Sequence, residues 1–172
     1  MHHMSLTSEV LFKVKRRLPS LWLSNAGVFW NYGRNIHIDR DVYIGTCVLL
    51  DDTSYGDGKI MIGARTELHD FCRLECYGGS IEVGEDCFIT PFSVVYGHGG
   101  LTIGSKVRIA AHVGRMPANH AFTNSAVPIM HQPESRRGIV IESDVWIGAH
   151  AVILDGVTVG TWIRSCCGSP GQ

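Results

Sequence analysis

Residues Ile139 to Gly160 read IVIESDVWIGAHAVILDGVTVG. An aliphatic residue falls at every sixth position, Ile141, Ile147, Ile153 and Val159, and a second apolar residue stands two before each: Ile139, Val145, Ala151 and Val157. Self-similarity at so short a period specifies a solenoid, because each unit can bury its apolar face only against the next. Each hexad is a short strand with alternating directions, Val145 in, Trp146 out, Ile147 in. A turn follows, where Gly148 and Gly156 can take backbone angles that other residues avoid. Three hexads, eighteen residues, make one triangular coil.

Upstream of this stretch the hexads can be counted from Ile36. First positions of successive coils fall at Ile38, Ile62, Val83, Ile103, Ile141 and Val159, separated by 24, 21, 20, 38 and 18 residues. Beyond a plain coil these leave insertions of 6, 3, 2, 20 and 0 residues, all at the same corner, after the third hexad. Ile44, Leu68, Ile89, Ile109 and Ile147 each follow a first position by six, so register returns after every insertion. A barrel or sandwich would instead show strands every 8 to 12 residues or so with hairpin turns. The fold class is therefore all-β, a parallel β-helix of about five triangular coils, roughly 24 Å tall at the usual strand spacing. Its two ends are open edges that need a cap or a partner.

The remaining composition is consistent with one domain: 172 residues, 45% apolar, net charge −1. That charge gives no reason to expect nucleic acid or an acidic membrane as partner. No run reaches the roughly 18 apolar residues of a membrane span, and the start lacks an apolar signal core, so the expected location is cytoplasmic. His2 and His3 in the opening MHHM are given no role. Residues 1–35 form an N-terminal unit. Within it, Val10, Leu11, Val14 and Leu18 lie at helical spacing behind Ser8 and ahead of Pro19, which predicts a short basic helix over 8–18. Lys13, Lys15, Arg16 and Arg17 are its solvated face, with membrane contact as the alternative. Trp22, Phe29, Trp30 and Tyr32 show no clear period and are read as a plug for the first coil, with a ligand-binding patch as the alternative. Residues 36–172 form the β-helix domain with the excursion 115–138.

Six cysteines invite a disulfide or metal reading, but no Cys-x-x-Cys pair is present. Cys72 and Cys87 fall in the small inward slot of their hexads and act as apolar filler. Cys166 and Cys167 are adjacent and too close for an ordinary mutual disulfide. His112 and His150 share one turn position in adjacent coils, so their rings are placed near each other. They are read as surface or interface histidines, and no metal is expected. Asp70, Glu85 and Asp86 lie in turns and are read as solvated.

DVWIGAHAVILDGVTVG, preceded by a long loop with ANHAF and PIMHQ, resembles the left-handed parallel β-helix acyltransferases, especially the sugar O-acetyltransferases of maltose, galactoside and O-antigen type. Xenobiotic acetyltransferases are similar too. The resemblance spans roughly residues 36 to 160, and the left hand of the coil is implied by it alone. It implies acetyl-CoA as acyl donor, a small-molecule hydroxyl acceptor, and homotrimers with active sites between neighbouring subunits.

Candidate site residues follow from chemistry and resemblance together. The excursion between Arg115 and Ile139 carries Asn119, His120, His131, Arg136 and Arg137, and so long a loop on so regular a scaffold is a functional candidate. An imidazole titrates near neutral pH and can take the proton of an attacking hydroxyl, so His120 is the candidate general base, matching the catalytic histidine of the resembled enzymes. A loop histidine that fixes a turn is the alternative. Asn119 beside it is a candidate acceptor contact, or a turn former. Thioester transfer also needs a donor for the developing oxyanion. The resemblance assigns this to the backbone N–H of Ala149, and places Trp146, Gly148 and Ala149 at the coenzyme, Trp146 lining the pantetheine channel. No serine sits in a nucleophile elbow, which agrees with direct attack. Trp146 points outward in one column with Arg108, Phe88, Glu67 and Tyr43, read as a subunit interface or groove wall. Ser93, or Pro91, falls where the galactoside-type enzymes place an acceptor-binding asparagine. Ser93 is thus a substrate-binding candidate, although its inward slot favours reading it as a small filler.

After Gly160 the pattern breaks: the next inward position is Ser165, and the resembled enzymes continue with further coils that contact coenzyme A. Two functions are thus carried forward. One is an acetyl-CoA-dependent O-acetyltransferase with His120 as base, acting on a sugar-like or antibiotic hydroxyl. The other is a non-catalytic β-helix trimer serving as a binding or assembly protein.

Overall fold

The apolar positions counted above become three parallel sheets, the three faces of a column of about six turns. The computed structural model describes residues 22–23, 29–31, 35–53, 56, 58–116, 118–161 and 164–165. The first face stacks Trp22–Leu23, Tyr43–Ile44, Glu67–Leu68, Phe88–Ile89, Arg108–Ile109, Trp146–Ile147 and Arg164–Ser165. The second stacks Phe29–Asn31, Leu49–Asp51, Arg73–Glu75, Val94–Tyr96, Gly114–Met116 and Val152–Leu154. The third stacks Ile36–Ile38, Lys59–Ile62, Ser80–Val83, Leu101–Ile103, Ile139–Ile141 and Thr158–Val159.

Register follows the hexad count residue for residue. On the third face Ile38, Ile62, Val83, Ile103, Ile141 and Val159 are successive Cα partners. On the first, Ile44, Leu68, Ile89, Ile109 and Ile147 are. Their side chains fill the interior: Ile44, Leu68, Ile89 and Ile147 are fully buried. The small slots behind them hold Val48, Cys72, Ser93, Val113 and Ala151 in one column, all buried. Burial drives the Cys72 thiol up to about 12 and raises that of Cys87, so both are inert fillers.

Among the described residues, two corners in each of five successive coils are turned by a non-glycine residue in the left-handed region. Asp41, Arg65, Asp86, Lys106 and Asp144 (φ 56–62°) serve the corner from third to first face, and Cys47, Phe71, Phe92, His112 and His150 (φ 54–62°) the next. Each such residue carries a local penalty of about 1–2 kcal/mol. Only the backbone ladder and buried columns hold it there. The turn after Trp146–Ile147 is accordingly made by His150, two positions beyond Gly148, while Gly156 takes φ 79° as its spacing suggests.

Several expectations are corrected. Counting from Ile38 gave five coils. The ladder starts earlier, because the backbones of Trp22–Leu23 and Phe29–Asn31 pair with Tyr43–Ile44 and Leu49–Asp51. Nor does pairing stop at Gly160: Arg164–Ser165 pairs with Trp146–Ile147, Ser165 opposite Ile147. The ladder bonds are backbone bonds and persist where the apolar side chain is missing. Turn acids also do more than meet solvent. Asp86 and Glu85 grip the Arg65 guanidinium at 2.7 Å each, and Asp70 accepts from Thr46 N at 2.7 Å. The proposed helix over 8–18, and Cys166 and Cys167, lie outside the described residues.

A fully buried rung residue should behave as a core residue of an ordinary domain. Ile109→Ala is expected to cost about 2–5 kcal/mol in urea unfolding, against at most about 0.5 for Thr102→Ala on the solvent side. Equal costs would contradict the rung assignment.

Candidate active site

The long insertion leaves the column at the corner between the second and third faces, where every insertion sits. It folds as a small hairpin: Asn119–His120 pairs antiparallel with Glu134–Ser135, setting Asn119 opposite Ser135 and His120 opposite Glu134. Its outer end is built around Gln132, which donates to the carbonyls of Asn124 (2.9 Å) and Val127 (2.8 Å) and accepts from Asn124 N (3.3 Å). A buried amide with its hydrogen bonds made fixes loop geometry that apolar contacts alone would leave open.

Asp155, in the last coil, fastens the returning end. Its carboxylate accepts from Ser135 Oγ (2.8 Å), Arg137 N (2.7 Å) and Gly138 N (2.9 Å). Desolvation pushes this carboxyl up, but the bonds from Ser135, Gly138 and Arg137 outweigh it and leave it below the ordinary aspartate value. Gly138 takes φ 84°, and a Cβ there would lie 2.7 Å from Gly99 O, so only glycine lets the chain re-enter so close to the previous coil.

The chemistry-bearing cluster forms on this hairpin. His120 Nε2 lies 3.4 Å from Glu134 Oε1, and Arg136 Nη2 lies 3.0 Å from Glu134 Oε2. The Arg136 hydrogen bonds hold the Glu134 carboxyl low against the opposing effect of burial, and the fields of Arg136, His120 and His98 add to the depression. The ionised carboxylate lies at ion-pair distance from the imidazole, where it can favour an Nε2–H turned toward it, so the pair has the residue types of a general base and an orienting acid. The pair is half exposed, with His120 at 51%.

The other candidates fall elsewhere. Asn119 is exposed beside His120 on the same strand. Trp146 is 44% exposed on the first face, in register with Arg108, Phe88, Glu67 and Tyr43. Arg108 lies over the Phe88 ring at 5.1 Å. Gly148 is buried and Ala149 exposed at the corner from first to second face. In a three-sided column the first face lies opposite the corner that carries the excursion. The excursion with His120 and the first face with Trp146 therefore start from different sides of the column, and Ala149 stands at the corner between the first and second faces. Ser93 is fully buried, its hydroxyl donating to Ala110 O at 3.3 Å, which is the inward-filler reading and not the substrate-binding one. His112 and His150 stack at 5.1 Å with parallel planes, continuing Phe71 and Phe92 along one edge. Among the described residues no group of three or more His, Cys, Asp or Glu is placed to hold a metal ion, and no helix is long and apolar enough to cross a membrane.

Sequence reasoning missed Glu134, Asp155 and Gln132. Glu134 had a signal: it is the one carboxylate between Met116 and Gly138. Asp155 had none, since its partners lie 17 to 20 residues away across a loop of unknown path.

No protein-family profile and no curated protein sequence matches this chain. Solved structures do. A variant of AntD, an N-acyltransferase from Bacillus cereus, in complex with dTDP and coenzyme A, is 22% identical with a TM-score of 0.54, covering 90% of this chain and 72% of that one. A second AntD variant, in complex with dTDP-4-amino-4,6-dideoxyglucose and coenzyme A, is 19% identical with a TM-score of 0.46 over the same shares. The first likeness establishes the fold: the chain is a hexapeptide-repeat parallel β-solenoid of the architecture that AntD uses.

Removing the Asp155 carboxylate should free the loop and spare the column. Asp155→Ala is expected to lower amide protection over residues 119–137 by tenfold or more, from the loss of a charged acceptor worth about 1.5–3 kcal/mol. Because its folded pKa is depressed, the anchor is fully present above the unfolded aspartate value and is lost as pH falls through the folded one. Intrinsic-rate-corrected protection of the loop in the parent should therefore drop in that acid window, and the drop should be absent from Asp155→Ala. Identical loop protection in both proteins would remove the anchor.

Proposed function

We propose that this protein transfers an acyl group from a coenzyme A thioester to a sugar-like acceptor, with His120 as general base. The observation that carries the reading is the His120–Glu134 pair, with Arg136 behind it, on the one long excursion of a solenoid. In this mechanism the acceptor hydroxyl oxygen attacks the thioester carbonyl carbon while His120 Nδ1 takes its proton. Glu134 steadies the imidazolium that results. The backbone N–H of Ala149 meets the oxyanion, the C–S bond breaks, and the thiolate leaves with the proton that His120 returns. Charge builds only on groups that have a partner, and no covalent enzyme intermediate is required.

The excursion with His120 and the face with Trp146 start from different sides of one column, which supports a site closed by a neighbouring copy, and we propose the homotrimer. AntD, an N-acyltransferase solved with dTDP and coenzyme A, supports acyl transfer from coenzyme A in general terms. Acetyl is the proposed acyl group, a hydroxyl the proposed nucleophile with a sugar amine or an antibiotic hydroxyl as alternatives, and the cytoplasm the proposed location.

Two measurements test this. Acetyl-CoA at a hundred times its Kd should stabilise the native protein by about 2.7 kcal/mol, a rise of several degrees in Tm for a chain of this size. No rise at millimolar donor would leave the non-catalytic assembly protein as the function. His120→Ala should lower kcat about 10²–10⁴-fold with Tm and oligomeric state unchanged, and undiminished transfer would remove His120 from the mechanism.

A further inference from the structure

The excursion returns to the column over the turn Gly97 to Gly100, whose one side chain is that of His98. The backbones meet with no room between them: a Cβ on Gly99 would lie 2.7 Å from the Arg136 carbonyl carbon and 2.7 Å from Gly138 N, and Ile139 N donates to Gly100 O at 3.0 Å. Any movement of this turn is therefore passed to the strand that carries Glu134 and Arg136. The imidazole lies flat on Tyr77, with centroids 4.3 Å apart and planes 7° apart, and Tyr96 closes the group edge-on at 5.8 Å. Tyr77 is held in turn by hydrogen bonds to Glu75 and Tyr96. Burial first, and the Glu75 charge second, push its phenol up to about 12, so it is a neutral platform for the ring above it.

His98 Nδ1 is buried and has no hydrogen-bond partner. A neutral imidazole can leave that nitrogen as a lone pair, whereas in the protonated ring both nitrogens are donors. A buried N–H with nothing to accept it is among the rarest features of native structures. The surrounding charges give no relief. Arg136 on the returning strand repels a charged ring, while Glu134 on the same strand and Glu75 on the second face attract it. Both carboxylates are already taken, Glu134 by Arg136 at 3.0 Å and Glu75 by Arg73 at 2.8 Å. Burial first, and Arg136 second, accordingly hold the imidazole below its ordinary value. Glu134 keeps its charge over the same range, because the Arg136 hydrogen bonds hold its carboxyl low.

We propose that the His98 turn is a pH-sensitive seat for the excursion: the neutral imidazole lets the returning strand lie on it, and the protonated one needs water at Nδ1, which reaches it only when the strand lifts. Lifting carries Glu134 and Arg136 away from the column and breaks their alignment with His120. Because the seat favours the neutral ring, its contribution is whole above the ordinary histidine value of 6.5 and is lost as pH falls from there toward the lower folded value. Asp155 acts in a separate window, since a carboxyl held low releases the loop only below the ordinary aspartate value of 3.8. The seat does not depend on the acyl-transfer reading and holds for any chemistry the hairpin serves.

The test is amide hydrogen exchange of residues 119–137 in the full chain, corrected for intrinsic rate, between about pH 7.5 and about pH 5, with the His98 ring nitrogens followed by nuclear magnetic resonance. In the parent, loop protection should fall by up to about tenfold per pH unit below the ordinary histidine value, in step with the His98 titration, while the rungs at Ile109 and Ile147 keep theirs. His98→Phe keeps a ring on Tyr77 and has no nitrogen to charge. Its loop protection should match the parent's within about twofold at the upper pH and stay level to the lower. Arg136→Gln removes the repelling charge and leaves the ring stack untouched. Its fall over the range should be smaller than the parent's, which decides the matter if His98→Phe folds poorly. A fall of the parent's size in His98→Phe would assign the effect to His120 or His131 on the excursion and overturn the seat. A parent loop whose protection is level while His98 titrates, or an undiminished fall in Arg136→Gln, would overturn it as well.

Discussion

The backbone ladder between successive coils is the constraint on which everything else rests. Each rung must present its inward residues directly above those of the rung below, because a slip of one residue would turn Ile109 outward and Arg108 inward. The two turned corners reinforce the same rule. Left-handed positions recur at the spacing of the coils, from Cys47 to Phe71, Phe92, His112 and His150, and each is tolerable only while its ladder bonds hold. Variation is therefore confined to the third corner, where the ladder permits an excursion as long as the chain returns in register.

That confinement explains where the candidate site is. The hairpin with His120 departs from the permissive corner, and Asp155 returns it with three hydrogen bonds. Rigidity in the column and freedom at one corner are complementary: the first fixes the hairpin's base to a single place, and the second leaves its side chains available for chemistry. The Gly138 and Gly99 backbones meet at a distance that no side chain would allow, so the foot of the hairpin and the His98 turn form one surface.

The sequence made the column legible in detail because burial in a solenoid is strictly periodic. Ile38, Ile62, Val83, Ile103, Ile141 and Val159 were identifiable as one stack from spacing alone, and they are. The ends were less legible. Backbone pairing at Trp22–Leu23, Phe29–Asn31 and Arg164–Ser165 does not depend on an aliphatic residue in the slot. The excursion could be located but not folded on paper, since a hairpin's register depends on contacts such as Gln132 to Asn124 and Val127 that have no period. His120 was singled out as a candidate because a histidine in such a loop resembles a known base. Glu134 was not, because its place opposite His120 is a fact of pairing. Ser93 shows the converse: likeness of position suggested an acceptor contact, whereas the period favoured the buried column with Cys72 and Val113, where it lies.

What remains is whether one copy's hairpin and another's outward column make a single site. A crystal structure of the protein with coenzyme A bound answers this most directly. The account predicts the thiol within hydrogen-bonding reach of His120 of one copy and beside Trp146 and Ala149 of its neighbour. A thiol bound away from His120, or a His120 that faces solvent in the assembled protein, would contradict it.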